Sequence, residues 1–191
     1  FDGKPPVLKA DEIQKRDEMR KKYALEWLEA LEKRDYAKAF SKAVMAARLT
    51  KRMVDDAKLL LRLLGIPYIQ APSEAEAQCA YMAMKGDVWA ANSRDYDSLL
   101  FGAPRLVRYI TISGTEFMPS RGVSRRLRPE LIELREFLLH HGITREQLID
   151  LAILIGTDFN SGIRGLGPMK ALKLIKRYGS LDQLPNDLRS Q

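Results

Sequence analysis

Short apolar runs alternate with segments of helical periodicity from residue 53 onward, and this alternation restricts the fold more than any other feature. The apolar runs predict three strands, at residues 66–70, 88–91 and 106–111. Helical spacing predicts five helices, over residues 53–64, 74–85, 129–140, 145–155 and 168–178. Gly65 suits the end of the first helix, and Thr144 suits the N-cap of the fourth. Such alternation favours an α/β fold whose mostly parallel, twisted sheet is flanked by helices.

Residues 9–52 form the most highly charged part of the chain. They contain neither Gly nor Pro and carry 13 Lys or Arg and 8 Asp or Glu residues. Such a stretch is usually a solvated helix or a helical excursion from the core. Residues 4–8 contain two prolines and are expected to be extended, and residues 113–128 are expected to form a loop.

Charge and cysteine content narrow the class of protein. The net charge of +7 suits a polyanionic partner such as nucleic acid, although charge alone leaves a protein without such a partner equally open. The single cysteine, Cys79, excludes an internal disulfide and fits a reducing, intracellular setting. No apolar run approaches the roughly 18 residues of a membrane span, so no membrane partner is expected. The chain starts at Phe1 without an initiating Met, which suggests an absent upstream segment.

Acidic residues recur where predicted strands or an apolar helix end. They are Asp2, Glu74, Glu76, Asp95, Asp97 and Asp158. Ligands of open parallel sheets gather beyond the carboxyl ends of the strands, so these side chains are expected to share a site. Clustered carboxylates repel one another unless cations neutralise them, and their hard oxygens suit Mg²⁺ or Mn²⁺. Two such ions about 4 Å apart can activate water for phosphodiester hydrolysis.

Each of these acidic residues also has a local interpretation. Ser73 and Glu76 fit a capping box at the start of a helix. Asp95 and Asp97 suit a turn, and Asp97 alternatively suits an N-cap. Asp158 suits a turn beside glycine, and Asp2 suits a frayed terminus. His140 and His141 lie among apolar helical residues and are interpreted as structural or surface residues. The sequence shows no zinc-ligand spacing and no Ser-His or Cys-His arrangement.

A glycine-rich bend followed by a basic helix predicts a phosphate-binding surface. Glycines in the bend permit close approach of the backbone to a phosphate at a helix start. The candidate residues are Arg164, Gly165, Gly167, Lys170, Lys173, Lys176 and Arg177. The alternative is a helical hairpin with a hydrated basic face.

Four stretches together resemble the flap endonucleases, the structure-specific 5′ nucleases related to the xeroderma G protein. They are residues 1–9 (FDGKPPVLK), 71–77 (APSEAEA), 94–102 (RDYDSLLFG) and 156–168 (GTDFNSGIRGLGP). They occur in the family's order, the resemblance covers essentially the whole chain, and residues 129–160 resemble archaeal members. Met169 stands where the family commonly has Lys, and Gly162 where some relatives have Ser.

The resemblance implies a PIN-like 5′-nuclease fold with three regions. Residues 9–52 correspond to the helical arch over the active site, residues 53–112 to the sheet and metal-site core, and residues 129–181 to a helical region. The last region contains a helix-two-turn-helix that grips duplex DNA and binds K⁺. The six carboxylates correspond to ligands of two Mg²⁺ ions, for which Mn²⁺ can substitute.

Lys9 and Arg16 correspond to the family's catalytic basic pair on the helix that guards the active site. Their i, i+7 spacing places them on one helical face, about two turns apart. That face can present both cations to a scissile phosphate. Without the resemblance, ordinary solvated cations on a charged helix would be the simpler interpretation.

The resemblance also implies a substrate, partners and a location. The substrate is branched DNA with a 5′ flap, cut during DNA replication and repair, and a 5′→3′ exonuclease of the same superfamily is the related alternative. A sliding clamp is the expected partner of a full-length protein, although residues 187–191 do not supply its motif. An intracellular location follows, cytoplasmic in an archaeal cell and nuclear in a eukaryotic one. Roughly the first 80 residues of the family are absent, so a fragment that binds duplex DNA without catalysis remains the alternative function.

Overall fold

The computed structural model describes residues 1–185, so the predicted absence of a clamp motif at residues 187–191 lies outside the described part. Eight α-helices are seen there: α1 Ala10–Glu32, α2 Tyr36–Ala46, α3 Lys51–Leu63, α4 Ala75–Lys85, α5 Asp97–Leu100, α6 Leu134–His141, α7 Arg145–Ile155 and α8 Pro168–Tyr178. The same part contains five strands: β1 Ala91–Asn92, β2 Arg105–Arg108, β3 Thr115–Met118, β4 Val123–Arg126 and β5 Glu130–Glu133. Single 3-10 turns cover Val7–Lys9 and Leu181–Gln183.

The charged segment 9–52 is mainly a pair of packed helices, α1 and α2. Arg34, with a φ of 57°, lies in the turn between them, and the Asp35 side chain accepts a hydrogen bond from the backbone N–H of Lys38 (3.0 Å). Asp35 thereby caps α2, because its carboxylate satisfies an N–H that has no partner within the helix. An ion pair between Lys42 and Glu26 (2.5 Å) joins the two helices. The extended segment predicted at residues 4–8 is wrong at its end, where the 3-10 turn begins at Val7.

A three-stranded sheet in the order β1-β2-β5 has mixed orientation. β1 is parallel to β2, with Ala91 opposite Leu106, whereas β2 is antiparallel to β5, with Arg105 opposite Glu133. Strands β3 and β4 form a separate antiparallel hairpin, so the loop predicted at residues 113–128 is wrong. The helix predicted over 129–140 is also wrong in its first part, because β5 precedes α6.

The predicted strands are shorter than expected, displaced or absent, and the one predicted at residues 88–91 is wrong except at Ala91, where β1 begins. β2 ends at Arg108 because Tyr109 has a φ of 62°, which breaks an extended chain. Residues 66–70 are not assigned as a strand, and Pro67 removes one of the donors a ladder needs. The amino group of Phe1 nevertheless donates a hydrogen bond to the Ile69 carbonyl (2.8 Å), and the Phe1 carbonyl accepts one from the Ala71 N–H (2.9 Å). This is the hydrogen-bond pattern of neighbouring parallel strands.

Buried apolar residues form two clusters. The first contains Ala80, Ala91, Leu99, Ala103, Leu106 and Leu134, and the second contains Leu154, Ala171, Ile175 and Leu184. The second cluster joins α7 to α8, and the predicted Thr144 cap of α7 is confirmed as a full capping box with Gln147. Within residues 1–185 no helix combines the length and the apolar character needed to cross a bilayer.

Ile175 of α8 is fully buried in the second cluster, so its truncation tests the packing of that cluster. We expect Ile175→Ala to lower the free energy of unfolding by about 2–5 kcal/mol, because lost burial and a residual cavity both contribute. Urea denaturation measures the change. Met169→Ala in the same helix is the control: Met169 is 70% exposed, and its truncation should cost less than about 0.5 kcal/mol. Equal losses at both positions would contradict the packing of α8 described here.

Candidate active site

The start of α4 is capped by Asp2, which lies 73 residues away in sequence. The backbone N–H of Ala75 donates to Oδ1 of Asp2 (2.7 Å). The predicted capping box of Ser73 and Glu76 is therefore wrong: α4 begins at Ala75, and the Ser73 hydroxyl donates to the carbonyl of Lys4 (3.2 Å) instead. Because a remote carboxylate takes the cap, Glu74 and Glu76 are not needed to hold the helix start and can face the site.

The Ser93 side chain links α4 by hydrogen bonds to the loop that contains Asp95 and Asp97. Its hydroxyl donates to Oε1 of Glu76 and accepts from the backbone N–H of Asp95 (3.1 Å). Asp97 is the first residue of α5, not its N-cap as one local interpretation suggested, and Tyr96 occupies the N-cap position. The serine was not predicted; its only sequence signal is its place directly after a strand and two residues before Asp95.

Asp158 lies in a tight turn after α7, as the sequence predicts. Thr157 and Asn160 form an isolated β-bridge, and the Asn160 side-chain amide donates to the Ile153 carbonyl (2.7 Å). These contacts fold residues 157–160 back against the end of α7. The turn thus holds Asp158 at the site, which makes its turn and functional interpretations compatible.

Five of the six predicted carboxylates form one electrostatic cluster. Burial raises the pKa of Asp97, and the charges of Asp158, Asp95 and Glu74 raise it further. Burial likewise raises the pKa of Glu76; the hydrogen bond from Ser93 opposes this, and the charges of Asp97 and Asp95 add to it. Asp2 adjoins this cluster through its bond to the start of α4. Elements distant in sequence therefore meet here, although the strand expected before Glu74 and Glu76 is not formed.

Lys9 and Arg16 reach into the same cluster from the start of α1. The Lys9 ammonium lies 2.8 Å from Oε2 of Glu74 and 3.2 Å from Oδ2 of Asp158. Nη2 of Arg16 donates to both carboxylate oxygens of Asp158 at 2.9 Å, and its Nε donates to Glu12. Burial alone would lower the pKa of Lys9, but hydrogen bonds and charge from Glu74 and Asp158 outweigh it and raise that pKa.

The donor set fits a hard divalent cation. Its candidate ligands are carboxylate oxygens, which such cations prefer. Burial is the largest cause of the raised pKa values of Glu76 and Asp97, and the charges of neighbouring carboxylates add to it, so a bound cation would offset both effects. Among residues 1–185, no three His, Cys, Asp or Glu side chains converge as ligands of a single ion. Lys9, Arg16 and Ser93 hold carboxylate oxygens in their present positions, so these side chains must turn to ligate a metal.

The predicted phosphate-binding residues of α8 and the preceding bend form a separate exposed surface. All seven are exposed: Arg164, Gly165, Gly167, Lys170, Lys173, Lys176 and Arg177. The five cations among them make no ion pair with other residues in 1–185. Gly162, with a φ of 64°, lets the bend cross the end of α7, since a Cβ there would lie 2.3 Å from the Ile155 carbonyl carbon.

The α1–α2 pair also contacts the β3–β4 hairpin, which the sequence did not predict. The rings of Phe40 and Phe117 meet edge to face with centroids 4.9 Å apart, and the Ser41 hydroxyl donates to the Pro119 carbonyl. Lys9 and Arg16 join the same helical pair to the carboxylates. The pair is thus held at two places on the rest of the molecule.

The chain is similar to the same group of proteins in sequence and in structure. The XPG I-region family matches residues 65–158. Flap endonuclease 1 of Staphylothermus marinus is 55% identical over 185 residues, which cover 96% of this chain and 53% of that protein. The chain therefore spans about half the length of the curated relatives it matches.

Two solved structures are similar to this chain in fold. Flap endonuclease-1 from Methanococcus jannaschii superposes with a TM-score of 0.62 at 46% identity, over 93% of this chain and 53% of that one. The catalytic core of Rad2 in complex with DNA substrate superposes with a TM-score of 0.67 at 30% identity, over 96% of this chain and 48% of that one. These likenesses confirm the predicted fold class, including helices that flank a small sheet.

Proposed function

We propose that this chain, which is similar to the XPG I-region family and to flap endonucleases, belongs to that family and that its protein is a structure-specific 5′ flap endonuclease with related 5′→3′ exonuclease activity. The observation that carries the proposal is the approach of two cations from α1 to clustered carboxylates. Lys9 contacts both Glu74 and Asp158, and Arg16 contacts Asp158. This arrangement joins a candidate phosphate-binding pair to a candidate metal site.

The carboxylates would hold two Mg²⁺ ions, for which Mn²⁺ can substitute. Their proposed ligands are Asp2, Glu74, Glu76, Asp95, Asp97 and Asp158. When bound, such ions activate water and stabilise charge at a phosphodiester, and the products carry a 5′-phosphate and a 3′-hydroxyl. Lys9 and Arg16 would exchange their carboxylate partners for the scissile phosphate and stabilise the charge that develops on it.

The two other regions would bind DNA on either side of the cut. Residues 9–52 would arch over the single-stranded 5′ flap, residues 53–112 would form the metal-site core, and residues 129–181 would grip the duplex. The exposed cations of α8 would contact backbone phosphates, which gives affinity without sequence preference. K⁺ at the bend before α8 belongs to the same proposal.

The role of the whole protein extends the proposal to partners. Branched DNA with a 5′ flap is the substrate, and DNA replication and repair are the processes that generate it. A sliding clamp is proposed as the partner of the full-length protein. The proposed site of action is intracellular, and it is the cytoplasm if the protein is archaeal like its relatives from Staphylothermus marinus and Pyrococcus abyssi.

Cleavage of end-labelled 5′-flap DNA tests the function. We expect cutting near the junction of single and double strand with Mg²⁺ and none with EDTA, because the carboxylates alone cannot activate water. A titration of the same DNA measures binding, and a 3′-flap DNA is the control that should be bound but spared. Cutting that persists in EDTA would contradict the metal assignment. Binding without cutting at any Mg²⁺ concentration would favour the duplex-binding alternative.

A further inference from the structure

Arg108 is a buried cation next to the loop that carries two of the candidate metal ligands. It lies at the end of β2, its residue is only 9% exposed, and its guanidinium faces residues 94–97. A charged side chain is rarely buried to this degree unless it is paired and hydrogen-bonded. The question is therefore what Arg108 holds in place.

Four of the five guanidinium N–H groups have partners. Nε donates to the backbone carbonyl of Arg94 (3.0 Å), directly before Asp95. Nη1 donates to the Tyr96 hydroxyl and to Oε2 of Glu130 on β5 (3.1 Å), and Nη2 donates to the Tyr109 hydroxyl (2.7 Å). Arg108 thus connects both the backbone and a side chain of residues 94–97 to the sheet.

Two aromatic rings flank the same guanidinium. Its central carbon lies 4.0 Å from the ring centroid of Tyr96 and 4.4 Å from that of Tyr109. Tyr109 has a φ of 62°, a conformation that L-residues adopt only when their surroundings impose it. The Tyr96 ring belongs to the residue between Asp95 and Asp97, so stacking restricts the loop at that point.

A site for an outside anion is the competing explanation. Arg94, Asp95, Arg108, Tyr109 and Arg125 line a cavity of about 480 Å³. Its three guanidiniums are matched by three carboxylates, however. Both Arg94 and Arg125 pair with Glu116, Arg108 pairs with Glu130, and Asp95 itself lines the cavity. Little positive charge is left for an outside anion, and four of the five N–H donors of Arg108 are already engaged.

We propose that Arg108 is a positioning residue that fixes the backbone of residues 94–97 and thereby sets the affinity of Asp95 and Asp97 for a divalent metal ion. The inference rests on the proposed metal-dependent nuclease function of this site. Arg108 acts through its bonds to the Arg94 carbonyl and to Tyr96 and does not itself touch the metal or the DNA. Groups behind metal ligands commonly orient them in this way.

Arg105 provides a matched control on the same strand. Like Arg108, it pairs with the residue opposite it on β5, here Glu133 (3.6 Å), and its guanidinium lies 5.1 Å from an aromatic ring, that of Trp89. It also donates to a backbone carbonyl, that of Trp89 (3.1 Å). Its partners lie outside residues 94–97, so Arg105→Lys repeats the substitution without disturbing the loop.

A titration of the chain with Mn²⁺, monitored by electron paramagnetic resonance, gives both the dissociation constant of the metal and the number of metal-binding sites. The chain is titrated below the melting temperatures of both variants. We expect Arg108→Lys to raise the Mn²⁺ dissociation constant about tenfold or more and Arg105→Lys to leave it within about twofold. Lysine keeps the charge but cannot bond the Arg94 carbonyl and both tyrosine hydroxyls at once. Tyr96→Phe, which retains the ring and loses one acceptor, should give a smaller rise in the same direction.

The possible outcomes distinguish this inference from the proposed function. Equal dissociation constants for the two lysine variants would overturn the inference and leave the metal site intact. Fewer sites at unchanged affinity would show that Arg108 serves folding only, and weaker DNA binding at unchanged Mn²⁺ affinity would indicate an anion site; each overturns the proposal. If Arg108→Lys does not fold, an unchanged affinity in Tyr96→Phe has the same consequence. Absence of Mn²⁺ binding by the unaltered chain would overturn the metal site and the inference together.

Discussion

A chain that carries both Asp95→Asn and Asp97→Asn is expected to bind flap DNA at least as tightly as the unaltered chain and to cut it more than about 1,000-fold more slowly. Loss of a single electrostatic donor in an active site slows a reaction about 100- to 1,000-fold, and this change removes the charges of two proposed metal ligands. Asparagine retains nearly the size of aspartate but not its charge. Burial raises the pKa of Asp97, and the charges of Asp158, Asp95 and Glu74 raise it further, so loss of the Asp97 charge relieves repulsion within the cluster.

Single-turnover cleavage at saturating Mg²⁺ gives the rate, and a DNA titration in EDTA gives the affinity. Asp55→Asn with Asp56→Asn is the matched control, since these exposed neighbours on α3 remove the same charge away from the cluster. The control should cut and bind like the unaltered chain. Unchanged cutting by the first variant would eliminate Asp95 and Asp97 as metal ligands. A parallel loss of DNA binding would instead assign them a structural role.

The helices could be predicted from the sequence more securely than the strands. The α7 cap at Thr144 and the end of α3 before Gly65 follow from local chemistry that the folded chain preserves. β5 could not be separated from a helix, because its four residues form a strand only through pairing with β2. The β3–β4 hairpin has the same origin: alternate residues pack only once the two strands meet.

The candidate site was likewise predictable only where local sequence determines it. Its carboxylates were predicted from their places after strands and helices and from the family resemblance, and five of them influence one another electrostatically. Their supporting contacts were not predicted, because each joins residues remote in sequence. The sequence around Ser73 matched a capping box, yet it is the Asp2 carboxylate that accepts the hydrogen bond from the first N–H of α4. The available sequence signal for Arg108 was its place two residues after Leu106, which puts both side chains on the same, buried face of β2. A charged residue is unusual on such a face.

Lys9→Ala is expected to slow the chemical step about 100- to 1,000-fold while the affinity for flap DNA changes little. In the free protein the Lys9 ammonium is occupied by Glu74 and Asp158, at 2.8 and 3.2 Å. Binding of DNA therefore replaces the two carboxylate partners of Lys9 with phosphate oxygens. Because one anionic partner replaces another, the net contribution of Lys9 to DNA affinity is small. Only the additional negative charge of the transition state offers the ammonium a stronger interaction than it already has.

Single-turnover rates and dissociation constants for the same flap DNA measure both effects, with Lys15→Ala as the control. Lys15 precedes Arg16 on α1, is exposed, and makes no ion pair within residues 1–185. Loss of Lys9 also releases Glu74 and Asp158, so rates are compared at saturating Mg²⁺, where altered metal affinity no longer contributes. Equal losses of rate and affinity would reduce Lys9 to a positioning contact. A large loss of rate alone would mean that the ammonium interacts more strongly with the transition state than with its carboxylate partners.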